Sequence, residues 1–152
     1  MKIKRDVYLN KLIRKKKNGL IKVVTGVRRC GKSYLLFRLF HDHLLDAGVP
    51  KDHIIEVALD DRSNKALRDP DATLQYVKEN IRDKKDYYIV LDEVQYLNEF
   101  EDMLNSLLHI RNVDIYVTSS NLQIQYLILD HFHLFEQKIR HYIQHLFQYL
   151  IF

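Results

Sequence analysis

The stretch "LIKVVTGVRRCGKSYLLFRLF", residues 20–40, decides the fold. It opens on LIKVVT, a short β-branched apolar run of the kind that forms a buried strand. It closes on Leu35, Leu36, Leu39 and Phe40 at helical spacing, continued by Leu44, with Gly48 and Pro50 as the stop. Between strand and helix lie Gly26 and Gly31-Lys32-Ser33, in the spacing Gly-x-x-x-x-Gly-Lys-Ser. A glycine-rich turn in that position aims main-chain N–H groups into one concavity, and a helix N-terminus adds positive potential. The ligand that suits it is a chain of phosphates. The amides of Arg29, Cys30, Gly31, Lys32, Ser33 and Tyr34 are expected to line the concavity. Gly26 and Gly31 let the backbone approach, Lys32 reaches the β- and γ-phosphates, and the Ser33 hydroxyl is a ligand for Mg²⁺. The side chains of Arg28 and Arg29 could reach phosphate or a neighbouring acid, but read rather as exposed loop-tip charges. Cys30 reads as a small residue that fits the turn, where an oxidised thiol would block the nucleotide.

Outward from this loop, strands and helices alternate. HIIEVAL (53–59), DYYIVLDE (86–93) and VDIYVTSS (113–120) read as three more strands. Asp69-Pro70 opens a helix to about Arg82 as cap and first-turn proline. NEFEDMLNSLLHIRN (98–112) carries Phe100, Met103, Leu104, Leu107 and Leu108 on one face. A leader helix is expected from a cap at Asp6, with Val7, Leu12 and Ile13 inside and Asn18-Gly19 as its stop. Strands joined by helices imply βαβ units and a parallel sheet. The organisation is a basic leader helix (1–19), a phosphate-loop core (20–121) and a tail (122–152).

Two further pieces carry chemistry. LDE places Asp92 and Glu93 at the end of a buried strand, where Asp92 would hold Mg²⁺ and Glu93 would act on water as base or positioner. Adjacent acids favour an ATPase that activates water over a kinase. No guanine-specifying Asn-Lys-x-Asp is present, so ATP is the expected nucleotide. The fourth strand ends in Thr118-Ser119-Ser120-Asn121. If that strand lies between the loop strand and the acidic strand, Asn121 or one of its polar neighbours contacts the attacking water.

The bulk numbers set limits. With 152 residues and 47% hydrophobic content the chain can bury one core. One cysteine allows no internal disulfide and fits a reducing cytosol. No apolar signal core or membrane span is visible, so a cytoplasmic location without membrane contact is expected. Eight Lys or Arg among the first 17 residues face one acid, Asp6. RKKK (14–17) leaves nucleic-acid contact open as a second reading, and a non-catalytic nucleotide switch as a third.

Together, in this order, the pieces look like the AAA-type ATPases of bacteria and archaea. The resemblance is to a prokaryotic family with an N-terminal AAA domain and a C-terminal domain of unknown function. Its members show GVRRCGKS, LDEVQ and a Thr-Gly-Ser-Asn-type strand end, matched here by residues 26–33, 91–95 and 118–121. The resemblance implies a three-layer α/β P-loop NTPase fold of the additional-strand, AAA-like type. It also implies ATP and Mg²⁺ as cofactors and a homo-oligomer or protein partner. Here the strand end reads Thr-Ser-Ser-Asn. After Asn121 the family's arginine segment, fifth strand and second domain are not recognisable. The fold is therefore expected to be incomplete at the C-terminus, and the chain to bind ATP better than it hydrolyses it.

The tail differs from everything before it. Residues 122–152 contain no Gly, Ala, Ser, Thr, Val, Pro or Asn, and hold half of the eight histidines. An amphipathic helix would place Phe135, Ile139, Tyr142 or Ile143, Leu146 and Leu150 on one stripe. His131/His133 and His141/His145 have pairing geometry for a metal but lack fixed acidic or cysteine partners. The preferred reading is a change of frame near codon 121, which the coding DNA decides.

Overall fold

The computed structural model describes residues 5–121 and 147–151. Five parallel strands form one sheet: β1 (Ile21–Thr25), β2 (Ile54–Ala58), β3 (Tyr87–Asp92), β4 (Val113–Ser119) and β5 (Phe147–Ile151), in the order β2-β3-β4-β1-β5. The register runs Val23 opposite Val117, Leu91 opposite Val117, and Ala58 opposite Asp92. β4 lies between the loop strand β1 and the acidic strand β3, the order on which the expected role of residues 118–121 depends.

Period-two alternation sends successive side chains to opposite faces of a strand, and both faces here are covered. Tyr87, Ile89, Leu91, Ile115 and Val117 join one core with Val77, Met103, Leu104 and Leu107 from α4 (Pro70–Asn80) and α5 (Phe100–Leu108). Tyr88, Val90 and Tyr116 join the other with Leu12 of α1 (Arg5–Arg14) and Leu35, Leu36, Phe40 and Leu44 of the helix after the loop. The result is three layers, helix-sheet-helix. That second core closes on Phe40, whose ring centroid is 4.5 Å from that of Tyr116. Phe40 is fully buried. Phe40→Ala is expected to cost about 3–5 kcal/mol, read from the urea midpoint of unfolding.

Local differences from the sequence expectations have physical causes. The helix after the loop starts at Lys32 as α2 (Lys32–Tyr34), widens to a π stretch over Leu35–Phe40 and continues as α3 (His41–Asp46). The wider turn places Leu35, Leu36 and Phe40 all in the core. Asp69 caps α4 by accepting from the Asp71 N–H at 3.0 Å, but the helix stops at Asn80 because Ile81 turns extended. α5 is shorter than 98–112, since Glu99 sits at φ 50 and breaks its start. In α1, Asp6 lies inside the first turn rather than capping it. Val7 is 52% exposed, and Tyr8, Leu9 and Leu12 make the buried face instead.

The leader is fastened to the sheet by charge. Lys22, on β1, is fully buried and paired with Asp114, which also accepts from the Lys17 N–H (2.9 Å) and the Tyr116 hydroxyl (2.7 Å). Burial pushes Lys22 below the usual lysine range, against the opposing pull of Asp114.

The tail corrects one expectation. Phe147–Ile151 is a strand, paired in parallel with β1 from Ile21–Phe147 to Thr25–Ile151. Leu150 is therefore on a strand and not on a helical stripe, and the sheet is not short of a fifth strand. The residues FQYLI have high strand propensity, and β1 offers an open row of main-chain groups to pair with. The other tail residues singled out above, Phe135, Ile139, Tyr142, Ile143, Leu146 and the four histidines, lie outside the described residues.

Candidate nucleotide site

The parallel sheet brings the C-terminal ends of β1, β4 and β3 side by side, and the loop of 26–33 turns over them. Gly26 N–H bonds to the Ser119 carbonyl at 3.3 Å, which fixes the loop to β4. Gly31 has φ 98, a conformation in the left-handed region that glycine adopts without strain. Lys32 is 3% exposed and folds its ammonium under its own loop. It donates to the carbonyls of Gly26 (2.9 Å) and Val27 (3.0 Å) and to Ser120 Oγ (3.1 Å), and lies 3.8 Å from Glu93 Oε1.

The hydroxyl of Ser33 donates to Asp92 within 2.8 Å of Oδ2. Thr118, on β4, donates to the other Asp92 oxygen and accepts the Glu93 N–H at 2.8 Å. One hydroxyl thereby positions both acids. Glu93 leaves the strand at φ 54, and its carboxylate accepts from the Ser120 N–H (2.9 Å), the Ser120 hydroxyl (2.6 Å) and the Gln95 amide (2.5 Å).

The two acids titrate in opposite directions. Burial pushes Asp92 above the usual carboxylate range, and the bonds from Thr118 and Ser33 offset only part of this. Burial also pushes Glu93 up, but the bonds from Ser120 and Gln95 and the nearby Lys32 outweigh it, so Glu93 sits below its ordinary value.

Lys32, Ser33, Asp92 and Glu93 thus meet at one place, with Gly26 and Gly31 shaping it. Arg29 is exposed at φ 63, and Cys30 is half-buried with Sγ 3.8 Å from the Lys32 ammonium. Tyr34 is 48% exposed. Asn121 bonds through its N–H to Ser119 Oγ at 3.0 Å, whereas Ser120 is the residue that touches both Lys32 and Glu93. A run of small polar residues gave no means of choosing between them. Gln95 and Asp60 were also missed. Asp60 lines a cleft of about 400 Å³ with Arg28, Arg29, Ser33 and Glu93. Its only sequence signal was its position just past β2. A separate cavity of about 290 Å³ runs along β2 beside His41 and Glu56, away from the loop.

No helix among the described residues is long and apolar enough to cross a membrane. Part of the basic run has partners in the chain: Lys16 lies 3.4 Å from His43, and Lys17 forms a surface pair with Asp86.

Comparison with known proteins agrees with this geometry. A family model described as an AAA domain matches residues 18–129. An uncharacterized protein of Haemophilus influenzae is 31% identical over 123 residues, which is 80% of this chain and 30% of that protein. This chain therefore spans less than a third of the length of that curated relative. Among solved structures, a chain from a structure of Drosophila ORC bound to DNA aligns with a TM-score of 0.59 at 14% identity, covering 97% of this chain and 88% of that one. At that identity the likeness bears on the fold alone. With the family match covering most of its length, the chain belongs to this family of AAA domains, an ATP-binding domain of AAA type on an α/β P-loop fold.

Proposed function

We propose that the domain binds ATP together with Mg²⁺ and hydrolyses it slowly when alone. The observation that carries this is the meeting of Lys32, Ser33, Asp92 and Glu93 beneath the 26–33 loop, with Ser33 within 2.8 Å of Asp92. The donor set fits magnesium. Ser33 and Asp92 offer hard oxygens only, and no group of three His, Cys, Asp or Glu suited to a metal occurs among the described residues. Magnesium is commonly held by one or two protein oxygens, with phosphate and water completing its shell. When bound, the ion neutralises charge on the phosphates.

The chain's own residues divide the remaining work. The loop amides from Arg29 to Tyr34 and the Lys32 ammonium cradle the phosphates. Lys32 turns its third bond from Ser120 Oγ to a phosphate oxygen and keeps those to the Gly26 and Val27 carbonyls. Thr118 holds Asp92 in place. Glu93, with a depressed pKa, is a weak proton acceptor and is better suited to orienting water than to removing its proton early. Ser120 links Glu93 to Lys32, and Asn121 stands next along the strand end as the polar contact to that water. Slow turnover is expected because no arginine in the family's setting is recognisable after Asn121, so any cation for the transition state has to come from elsewhere in the domain. The part-buried contact of Lys16 with His43 favours this reading over a DNA-binding leader helix.

Calorimetry with ATP and Mg²⁺, joined to phosphate release across pH, tests it. Heat of binding that depends on Mg²⁺ is expected. Because the Glu93 carboxyl lies below its ordinary value, it stays ionised at neutral pH. Turnover is therefore expected to show no acidic limb between about pH 6 and 8. A limb there that Glu93→Asp displaces would reject the assigned role, and a folded protein with no heat would reject nucleotide binding.

A further inference from the structure

We propose that Arg29 is the arginine this domain supplies, within its own chain, to the terminal phosphate, with Arg28 holding the loop against the turn that follows Glu93. The proposal rests on the ATP-binding reading above and extends it to a transition-state role.

Three observations meet here. Arg28 and Arg29 line the same cleft of about 400 Å³ as Ser33, Asp60 and Glu93. Arg28 is anchored: its Nη2 donates to the Tyr96 hydroxyl at 3.0 Å, and the Tyr96 ring lies under the Arg68 guanidinium at 4.9 Å. Tyr96 ends the short turn Val94–Tyr96 that begins directly after Glu93, so Arg28 joins the phosphate loop to the acid's own turn. Arg29 differs. Among the described residues its guanidinium makes no hydrogen bond or ion pair, and its backbone sits at φ 63. A non-glycine residue pays about 1–3 kcal/mol for such a conformation, which persists where the surroundings over-determine it. They do so here. The Cys30 N–H bonds to the Val27 carbonyl at 3.3 Å, and Lys32 clamps Gly26 and Val27 from below.

Charge gives the reason for a cation at that position. Three carboxylates, Asp60, Asp92 and Glu93, border the site, against one ammonium, Lys32. Magnesium at Ser33 and Asp92 offsets these acids, but the triphosphate's own charge exceeds what Lys32 can match. The two guanidinia reduce that excess. Arg28 is already bonded to Tyr96, which leaves Arg29 as the group able to follow charge as it builds on the outgoing phosphate.

The test compares ADP with ADP plus aluminium fluoride, in Mg²⁺, on the full chain. The fluoride complex mimics the phosphate in transfer, so its gain in affinity over ADP reports transition-state contacts without needing turnover. The wild type is expected to gain at least about 30-fold. Arg29→Gln is expected to lose at least about 10-fold of that gain, taken as the ratio of its affinity for the fluoride complex to its own affinity for ADP, and Arg29→Lys to keep part of it. A thermal melt establishes that each variant is folded. The gain is expected to be independent of protein concentration. An unchanged gain in folded Arg29→Gln would overturn the proposal, as would a gain that grows with concentration, which assigns the cation to a second copy. A wild type that binds ADP without any fluoride gain would also overturn it and leave nucleotide binding standing. Absence of ADP binding would remove the underlying reading as well.

Discussion

Lys32→Ala is expected to weaken ATP binding by at least about 100-fold, measured by calorimetry, while the protein remains folded. Two effects add. The variant loses a charge-assisted contact to phosphate, worth about 1.5–3 kcal/mol for a hydrogen bond to a charged group. It also loses the clamp of the loop, because Lys32 ties the Gly26 and Val27 carbonyls and Ser120 together at 2.9 Å, 3.0 Å and 3.1 Å. An unclamped loop must be ordered by the ligand, which weakens binding further. The Lys32 ammonium also lies 3.8 Å from Glu93, so the variant leaves that carboxylate without its nearby cation. Affinity within about 3-fold of wild type would mean that the phosphates lie elsewhere.

Glu93→Gln is expected to abolish the chemistry and keep the ligand. The amide oxygen of glutamine can still accept from Ser120, so the turn after β3 holds. What disappears is the carboxylate that orders water, and phosphate release should fall by about 10²–10⁴-fold, the usual worth of a positioned acid or base. ATP affinity should be equal or tighter, because a negative charge bordering the phosphate site is gone. Phosphate release at the wild-type rate would transfer the role to another group, with Asp60 the other acid lining the same cleft.

The sequence exposed these residues because their spacing is a physical requirement. A loop that presents its amides needs glycine at 26 and 31, and a magnesium-holding acid needs a buried strand to end where the loop turns. The order of β1, β4 and β3 was expected only as that of additional-strand ATPases, and the sheet has it. Spacing failed where chemistry depends on side chains meeting across the sheet. Lys22 looks like one polar residue in an apolar run, and only the register with β4 reveals Asp114 as its partner. Val7 and Tyr8 can both cover apolar surface from a leader helix, so the face that packs was chosen by the layer beneath it and not by spacing. In the tail, FQYLI satisfies a helical stripe and a strand about equally well. Pairing with β1 decides between them, through main-chain groups that carry no sequence signal. Arg28 and Arg29 gave no indication of which would be anchored, because Tyr96 comes from a separate turn.

β4 has one further consequence. It is a girder of seven residues, about 23 Å long at ~3.3 Å per residue. Near its base, Asp114 grips the Lys17 amide and Lys22; at its tip, Thr118, Ser119 and Ser120 hold the acids, the loop and Lys32. The leader helix and the phosphate-handling end are thus fastened to opposite ends of one strand.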